Sequence, residues 1–124
     1  VQNDDGGFGE DSGSFLDPSL AGIGVSMPPL TGIALRALAE VVARGPRRKR
    51  LIEAAERAAR YLVERQESDG GWADQGYVFT IVPPTFYSWG HHRLYYVLFG
   101  LGRWVEVTTK LTTSTPRARG SARG

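Results

Sequence analysis

The feature that most constrains the fold of this chain is a short pattern that occurs twice. Residues 60–75 are RYLVERQESDGGWADQ, in which Gln66 precedes a Gly-Gly pair and Trp72. A looser copy, VQNDDGGFGED, begins the chain and places Gln2 before Gly-Gly and Phe8. The two copies lie 64 positions apart, counted from Gln2 to Gln66. Self-similarity at such a spacing is typical of an array of helix pairs.

The chemistry of the pattern indicates what it does locally. At a helix end, the Gln66 amide can donate to a carbonyl and can also accept from N–H groups at the start of the next helix. Gly70 and Gly71 permit a tight reversal of the chain, after which Trp72 can pack back on the helix. We therefore predict that both copies tie consecutive helices together. Their structural residues are Gln2, Gly7, Phe8, Gln66, Gly71 and Trp72.

Three segments carry the three-and-four spacing of apolar residues that is typical of amphipathic helices. They cover about residues 30–44, 50–65 and 91–107. In the second segment, Glu53 and Arg57 stand four positions apart with the acid first, which predicts a surface ion pair worth ~0.3 kcal/mol. In the third, core packing is the expectation for the aromatic residues on helical spacing. These are Tyr95, Tyr96, Phe99 and Trp104.

The segments outside the helices are predicted to be irregular. Residues 1–29 are rich in glycine and proline, which indicates a long Gly-rich N-terminal loop. Residues 77–87 favour extended structure, but Pro83 and Pro84 argue against a central strand, so we expect an extended loop without a hairpin. Residues 108–124 have almost nothing to bury and are expected to form a disordered basic tail. The fold class is therefore predicted to be all-α.

Composition excludes several kinds of chemistry. The chain has no Cys, which removes disulfides, thiolate metal ligands and cysteine nucleophiles together. Its two histidines, His91 and His92, are adjacent and lack the spacing of metal ligands. We therefore expect no metal and no cofactor.

The charge distribution and the chain ends limit the possible partners. The net charge of +2 reflects basic runs at 45–50 and 116–124, which we interpret as solvated rather than as sites for nucleic acid. No apolar stretch approaches the ~20 residues of a spanning helix, and no signal-peptide pattern is present. The chain begins with Val1 and its one Met is Met27, so we interpret it as the end of a longer polypeptide whose N-terminal part is missing.

The second copy of the pattern belongs to a fuller motif. Its members are Arg57, Tyr61, Leu62, Gln66, Asp69, Gly70, Gly71 and Trp72. This set resembles the QW motif of the triterpene cyclase family, the squalene-hopene and oxidosqualene cyclases. The chain also follows the order of that family's C-terminal end through QNDDGGFGED, DPSLAGIG, the QW repeat, PPTFY and LGRW, over residues 1 to about 104. The resemblance implies a partial (α/α) toroid, with residues 1–107 forming the C-terminal part of a cyclase-like α/α barrel domain.

The resemblance also implies a function. Family members are intramolecular transferases or isomerases that cyclise a squalene-like polyprenoid, starting when an Asp of a DxDD motif protonates the substrate. No DxDD occurs in this chain, so we expect no catalytic residue here and no activity from this part alone. NDDGG at 3–7 is interpreted as the turn of the first QW motif and not as a relative of that acid. The full-length protein is expected to be monotopic, peripherally attached to the cytoplasmic side of a membrane.

Three residues are candidates for the substrate pocket. In the family, the Phe-Tyr segment and the aromatic residues after it line the cavity, and the corresponding positions here are Phe86, Trp89 and His92. Aromatic faces can stabilise a carbocation without quenching it. His92 could instead act as a base that ends the cascade, or it could be a hydrogen-bonded His at a helix start.

Departures from the family pattern leave a second class of function open. Leu30 and Ile33 stand where the family usually has Gln and Trp, and Val82 stands where it usually has a pocket aromatic. Together with the missing acid, these residues also fit a non-catalytic α/α repeat that serves as an interaction scaffold. A cyclase predicts a large aromatic-lined cavity facing Phe86 and Trp89, whereas a scaffold predicts a filled core there.

Overall fold

The computed structural model describes residues 1–46, 48–73, 79–82, 85–87 and 90–113 of the chain. Three helices dominate these residues: α1 (Pro28–Arg44), α2 (Lys49–Glu64) and α3 (His92–Thr113). Two short strands, β1 (Phe79–Val82) and β2 (Thr85–Tyr87), come between α2 and α3. The long N-terminal segment contains two 3₁₀ helices, Ser12–Phe15 and Pro18–Leu20. The predicted all-α architecture is confirmed, with a small β pair added to it.

Helix α1 begins two residues before its predicted start because prolines form its first turn. Pro28 and Pro29 occupy the first helical positions, where the missing N–H would have no intrahelical partner. Met27 precedes them in extended conformation, and its carbonyl accepts from the Thr31 N–H at 2.9 Å. At the other end, the Gly45 N–H donates to the Val41 carbonyl at 2.8 Å.

Helix α2 matches its prediction to within one residue at each end, but its surface pairing differs. Its inner face buries Ala55, Ala58, Tyr61 and Leu62. The prediction that Glu53 pairs with Arg57 is wrong, because the Glu53 carboxylate lies 3.6 Å from the Lys49 ammonium instead. Arg57 points to the N-terminal segment, where it donates to backbone carbonyls. Sequence spacing alone could not reveal this tertiary partner.

Helices α1 and α3 approach so closely that their backbones touch. A Cβ built on Gly100 would lie 2.3 Å from the Gly32 carbonyl oxygen, and one built on Gly32 would lie 2.3 Å from that of Tyr96. Small residues at a helix crossing allow this approach. The core that α1, α2 and α3 enclose is continuous with the second Gln-Trp pattern. It consists of Leu35, Ala39, Val42, Ala55, Ala58, Tyr61, Leu62, Trp72, Val97, Trp104 and Val107.

Helix α3 continues to Thr113, so the predicted helix end at residue 107 and the disordered state of 108–113 are wrong. Val107 is buried, and Leu111 packs against the core one turn later, so the apolar stripe extends further than predicted. Threonine hydroxyls in the last two turns also donate to carbonyls three or four residues back, as Thr112 does to Thr108 at 3.2 Å. Residues 114–124 lie outside the described residues.

An ion-pair network centred on Arg103 links α1 to α3. The Arg103 guanidinium binds both carboxylate oxygens of Glu40, at 2.7 and 3.2 Å, and also reaches Glu106 at 2.7 Å. The hydrogen bond from Arg103 lowers the pKa of Glu40. Hydrogen bonds from Lys110 and then Arg103 lower the pKa of Glu106 from 4.5 to about 2. These carboxylates are therefore stabilised in their charged forms.

The strands β1 and β2 form an antiparallel pair, so the expectation of an extended loop without a hairpin is wrong. Phe79 is opposite Tyr87 and Thr80 is opposite Phe86, with an irregularity between Thr80 and Val82. The β-branched and aromatic content did indicate extended structure, and the absence of a central strand agrees with the prolines, because the sheet has only two strands in the described residues. Pro83 and Pro84 fall between the two strands in the sequence, so neither has to donate to the ladder.

Candidate functional site

The first copy of the pattern, residues 2–8, folds into a closed turn that we call the first turn. The Asn3 N–H donates to the Gly7 carbonyl at 2.9 Å, and the Gly6 N–H returns to the Asn3 carbonyl at 3.0 Å. The side-chain amide of Gln2 donates to the Gly6 carbonyl at 2.9 Å, and the Asp5 carboxylate accepts from the Gly7 N–H at 2.9 Å. Gly6 adopts a φ of 87°, in the left-handed region that favours glycine.

The second copy, residues 66–72, repeats this geometry bond for bond, and we call it the second turn. Glu67 and Gly71 pair as Asn3 and Gly7 do, with a distance of 2.8 Å from N–H to carbonyl oxygen. Gln66 donates to the Gly70 carbonyl at 2.9 Å, Asp69 accepts from the Gly71 N–H at 2.8 Å, and Gly70 has a φ of 84°. The predicted reversal at the glycines is therefore present. The expected acceptance of helix N–H groups by Gln66 is not found among the hydrogen bonds of the described residues.

The first turn is fastened to helix α2 by three hydrogen bonds to backbone carbonyls and by one close approach of the two backbones. The Gln2 amide donates a second hydrogen bond to the Ala54 carbonyl at 2.9 Å. The Arg57 guanidinium donates to the carbonyls of Asn3 and Asp4 at 2.7 and 3.2 Å. Gly6 lies so near α2 that an added Cβ would be 2.6 Å from the Arg57 carbonyl oxygen. The turn and the helix are 52 residues apart at the Gln2–Ala54 contact, so the first turn is a long-range tie.

A polar cluster beside the first turn reinforces this tie. Asp5 accepts from the Ser26 hydroxyl at 2.7 Å and lies 3.3 Å from the Arg65 guanidinium, while the buried Tyr61 hydroxyl donates to the Ser26 carbonyl at 2.9 Å. Burial alone would raise the pKa of Asp5, but the hydrogen bonds from Ser26 and Gly7 and the charge of Arg65 together lower it. Burial raises the pKa of the Tyr61 phenol. The charges and donors around Asp5 thus favour its ionised form.

The aromatic residue of each turn packs against the helices, as predicted for Trp72. Trp72 is 1% exposed, and its indole N–H donates to the Leu62 carbonyl at the end of α2 at 2.7 Å. The Trp72 carbonyl accepts from the Arg93 guanidinium at 3.1 Å, which links α2 to the start of α3. Phe8 is half-buried against the core, and its backbone bonds to Thr31 and Met27 at the start of α1. Both turns therefore tie one helix to another.

Comparison with known proteins agrees with this geometry. The model of the squalene-hopene cyclase C-terminal domain matches residues 1–106, which include both turns and most of α3. The chain belongs to this family. Its three-helix layer is accordingly part of an α/α toroid, the fold of the cyclase C-terminal domain. A curated relative, the squalene–hopene cyclase of Alicyclobacillus acidocaldarius, is 43% identical over 99 residues. That match covers 79% of this chain and 15% of the relative, so the chain spans a small part of the relative's length.

The structure describes the three predicted pocket residues of this cyclase domain to different extents. Phe86 lies in β2, opposite Thr80 of β1, and its side chain is outside what the structure describes. Trp89 also lies outside the described residues. His92 begins α3, is half-buried, and has its ring centroid 5.1 Å from that of Tyr96. The shared pocket of Phe86, Trp89 and His92 therefore stays a prediction.

Two other aromatic residues of the cyclase domain, Tyr95 and Phe99, lie on its surface rather than in its core. Tyr95 and Phe99 are each 57% exposed, so the expectation of core packing is wrong for both, whereas Trp104 is 7% exposed and belongs to the core. The buried positions of α3 are Val97, Gly100, Trp104 and Val107, and residues 95 and 99 project from the other side of that helix. Their apolar character alone could not distinguish these sides.

Two grooves on the cyclase domain differ in chemistry. A groove of about 370 Å³ between α1 and α3 is apolar and is lined by Ile33, Arg36, Ala37, Tyr96 and Phe99. The Arg36 guanidinium lies 5.4 Å from the centroid of the Phe99 ring, at one edge of this groove. A groove of about 530 Å³ beside α2 carries both signs of charge and is lined by Gln2, Arg50, Glu53, Ala54, Glu56, Arg57 and Arg60. Only the first of these has the apolar and aromatic lining that a hydrocarbon would favour.

Two kinds of feature were sought by their geometry in the described residues: a group of metal-ligating side chains and a helix long enough to span a bilayer. Within it, no three His, Cys, Asp or Glu side chains are grouped so that they could hold a metal ion. No helix among these residues is both long and apolar enough to cross a bilayer. The acidic residues at 3–7 form the first turn, as interpreted from the sequence, with Asp5 bonded to Gly7 and Ser26.

Proposed function

We propose that this chain is the C-terminal portion of a squalene-hopene-type triterpene cyclase, supplying scaffold and part of the pocket wall. The observation that carries the proposal is the pair of matching turns, which lie within the 106 residues that the family model matches. The proposed reaction is the protonation of a squalene-like polyene followed by a carbocation cascade, without a cofactor. The protonating acid belongs to a part of the polypeptide outside this chain, which has no DxDD motif. The 124 residues alone are therefore expected to be inactive.

The contribution of this chain to the reaction is electrostatic. A carbocation that moves along a hydrocarbon is stabilised by aromatic faces in a cavity that excludes water, by about 0.5–2 kcal/mol per contact. Phe86 and Trp89 are the proposed cation-facing rings, because they match the family's aromatic segment. His92, on the first turn of α3, lies beside them in sequence and is the proposed third pocket residue. Its imidazole could also take the final proton from a nearby cation.

Substrate supply requires contact with a membrane, because a C30 hydrocarbon is nearly insoluble in water. We propose that the full-length protein is peripherally attached to the cytoplasmic face of a bilayer and takes up its substrate there. The missing N-terminal part of the same polypeptide is its principal partner. Nucleic acid is not a proposed partner. Flotation of the full-length protein with liposomes, compared with protein alone, tests the attachment.

The experiment that tests the proposed function uses the full-length polypeptide that contains this chain. Purified protein is incubated with squalene in detergent, and the products are separated by gas chromatography and identified by mass spectrometry. We expect cyclic triterpenes, and a rate lowered about 2- to 30-fold by Phe86→Ala, which corresponds to the loss of one aromatic contact. Leu16→Ala is the matched control, because Leu16 is 87% exposed. If no cyclic product forms and the full-length sequence has no DxDD motif, the proposed cyclase activity is excluded.

A non-catalytic α/α interaction scaffold is the second candidate, and one observation favours it. Ile33 replaces the family's usual Trp and is 43% exposed, at the edge of the apolar groove between α1 and α3. Leu30 and Val82 likewise lack the family's usual side chains. If the full-length protein folds but neither binds squalene nor yields a cyclic product, the result would favour the scaffold over the cyclase.

A further inference from the structure

We propose that the apolar groove between α1 and α3 binds a long-chain carboxylate, a molecule of the fatty-acid type whose head group pairs with Arg36. The groove has a volume of about 370 Å³ and is lined by Ile33, Arg36, Ala37, Tyr96 and Phe99. The inference goes beyond the proposed function, because squalene carries no charged group. It depends on these lining residues and not on where cyclisation takes place.

Arg36 is the one charged residue of this lining, and its charge has no partner in an ion pair among the described residues. The only acid of α1 is Glu40, which lies one helical turn further along. The two carboxylate oxygens of Glu40 accept hydrogen bonds from Arg103 at 2.7 and 3.2 Å, and one of them also lies 3.1 Å from the Arg44 guanidinium. Glu40 is therefore committed to other cations, and the guanidinium of Arg36 is available to an external anion.

An aromatic ring holds Arg36 at the edge of the groove. The central guanidinium carbon of Arg36 lies 5.4 Å from the centroid of the Phe99 ring, within the ~6 Å reach of a cation–π contact. This contact uses the positive charge but none of the five N–H donors of the guanidinium. Because Arg36 and Phe99 are both exposed, a ligand can reach these donors and the apolar surface beside them.

The rest of the groove suits a hydrocarbon chain. The side chains of Ile33 and Phe99 are 43% and 57% exposed, and Ala37 between them on the surface is also exposed. No carboxylate occurs among the five lining residues to repel an anion. An apolar and aromatic lining with one placed polar group is the usual composition of a small-molecule site. The groove therefore combines a surface for a chain with a single anchor for its head.

The donors and charges around Arg36 select the head group. A carboxylate has two oxygens and one charge, which the fork of one guanidinium matches. A phosphate monoester would bring a third oxygen and a second charge, for which the lining offers no other cation. The hydrogen bond from Arg103 lowers the pKa of Glu40, so this neighbouring carboxylate stays ionised and would repel the additional charge. The groove therefore favours a carboxylate over a phosphate.

The test uses the full-length polypeptide that contains this chain, purified in a nonionic detergent. Laurate labelled with ¹³C at its carboxyl carbon is titrated below its micelle-forming concentration, and the carboxyl signal is followed by NMR. Labelled 1-dodecanol, which has a chain of the same length without the charge, is titrated in parallel. We expect the laurate signal to shift in a saturable way. Arg36→Gln should weaken laurate binding about 10- to 100-fold, since it removes a charge-assisted hydrogen bond, and should leave dodecanol binding unchanged.

Two variants on the same helix provide matched controls. Arg44→Gln removes the same charge from α1, but the Arg44 side chain is 81% exposed and does not line this groove, so laurate should bind as before. Ala37→Trp fills the groove without changing its charge and should weaken the binding of laurate and of dodecanol alike. The fold should accept this change because Ala37 is exposed.

Three results would overturn the proposal. They are equal laurate binding by Arg36→Gln and the unchanged protein, no saturable laurate shift, and tighter binding of dodecyl phosphate than of laurate. The second result is the one expected if an acidic segment of the full-length polypeptide covers Arg36. None of these measurements involves cyclisation, so their failure and the failure of the proposed function are distinguishable.

Discussion

Replacing a glycine by alanine at two sites of α3 should change the free energy of unfolding by clearly different amounts. Gly100 and Gly102 lie on the same helix and gain the same intrinsic helix preference from a methyl group. Gly100 faces α1, and its new Cβ would lie 2.3 Å from the Gly32 carbonyl oxygen. Gly102 is exposed, and its new Cβ would meet nothing within 4 Å.

The magnitudes follow from these distances. At Gly102, the change should stabilise the chain by about 0.8–1 kcal/mol, the difference between glycine and alanine in a helix interior. At Gly100, the Cβ needs ~1 Å more space to reach ordinary contact, so α1 and α3 must separate or shift. Such overpacking costs typically 1–3 kcal/mol. Because the helix preference cancels between the two variants, Gly100→Ala should be about 1–3 kcal/mol less stable than Gly102→Ala.

The assay is urea unfolding followed by circular dichroism at 222 nm, with linear extrapolation to water. Gly32→Ala, on the other side of the contact, should also destabilise the chain. The double variant Gly32→Ala/Gly100→Ala should cost less than the sum of the single variants, because one separation of the helices relieves both clashes. If Gly100→Ala proved as stabilising as Gly102→Ala, the close contact of the two backbones would be refuted.

Three further predictions concern the turns and the charged network. Trp72→Phe should cost about 1–3 kcal/mol in urea unfolding, because it leaves the Leu62 carbonyl without its indole donor; unchanged stability would contradict the role of that bond. Gln2→Leu should cost about 1–3 kcal/mol and Gln66→Leu about 0.5–1.5 kcal/mol, since Gln2 makes two hydrogen bonds and Gln66 one in the described residues; equal costs would count against the tie to α2. The pKa of Glu106 falls from 4.5 to about 2 on folding, so its contribution to stability is complete above pH 4.5 and is lost as the pH falls toward 2. Melting temperatures measured across that window should decline less steeply for Glu106→Gln than for the unchanged chain.

Local features of the fold were predictable from the sequence. The spacing of apolar residues located all three helices, because amphipathic periodicity is written in consecutive residues. The two turns were also predictable, since Gly70 adopts the positive φ that its residue type favours and Trp72 follows at the position where it can fold back. These features depend on neighbours within about ten positions in the chain.

Features that depend on distant partners could not be predicted in the same way. Arg57 was assigned to a neighbour on its own helix, but its partners are carbonyls more than 50 positions away. Tyr95 and Phe99 were assigned to the core because they are aromatic, although the side of α3 that faces α1 is set by Gly100. The end of α3 was placed too early because Leu111 has an apolar partner only in the folded core. In each case, the deciding contact has no local signal.

The arrangement of the two turns explains why α2 is central to this domain. On one side, α2 holds the first turn through the Ala54 carbonyl and the Arg57 guanidinium. At its C-terminal end, it leads directly into the second turn, whose Trp72 bonds back to Leu62. Each turn therefore closes on a helix while the chain continues to the next, so successive helices are connected both by sequence and by hydrogen bonds to backbone atoms. On α2, the acceptors of these bonds are the backbone carbonyls of Ala54 and Leu62, and Arg57 is the one side chain of the helix named among the donors. The ties therefore depend on the backbone path of α2 and on a few donor side chains, and not on the apolar residues that α2 buries in the core.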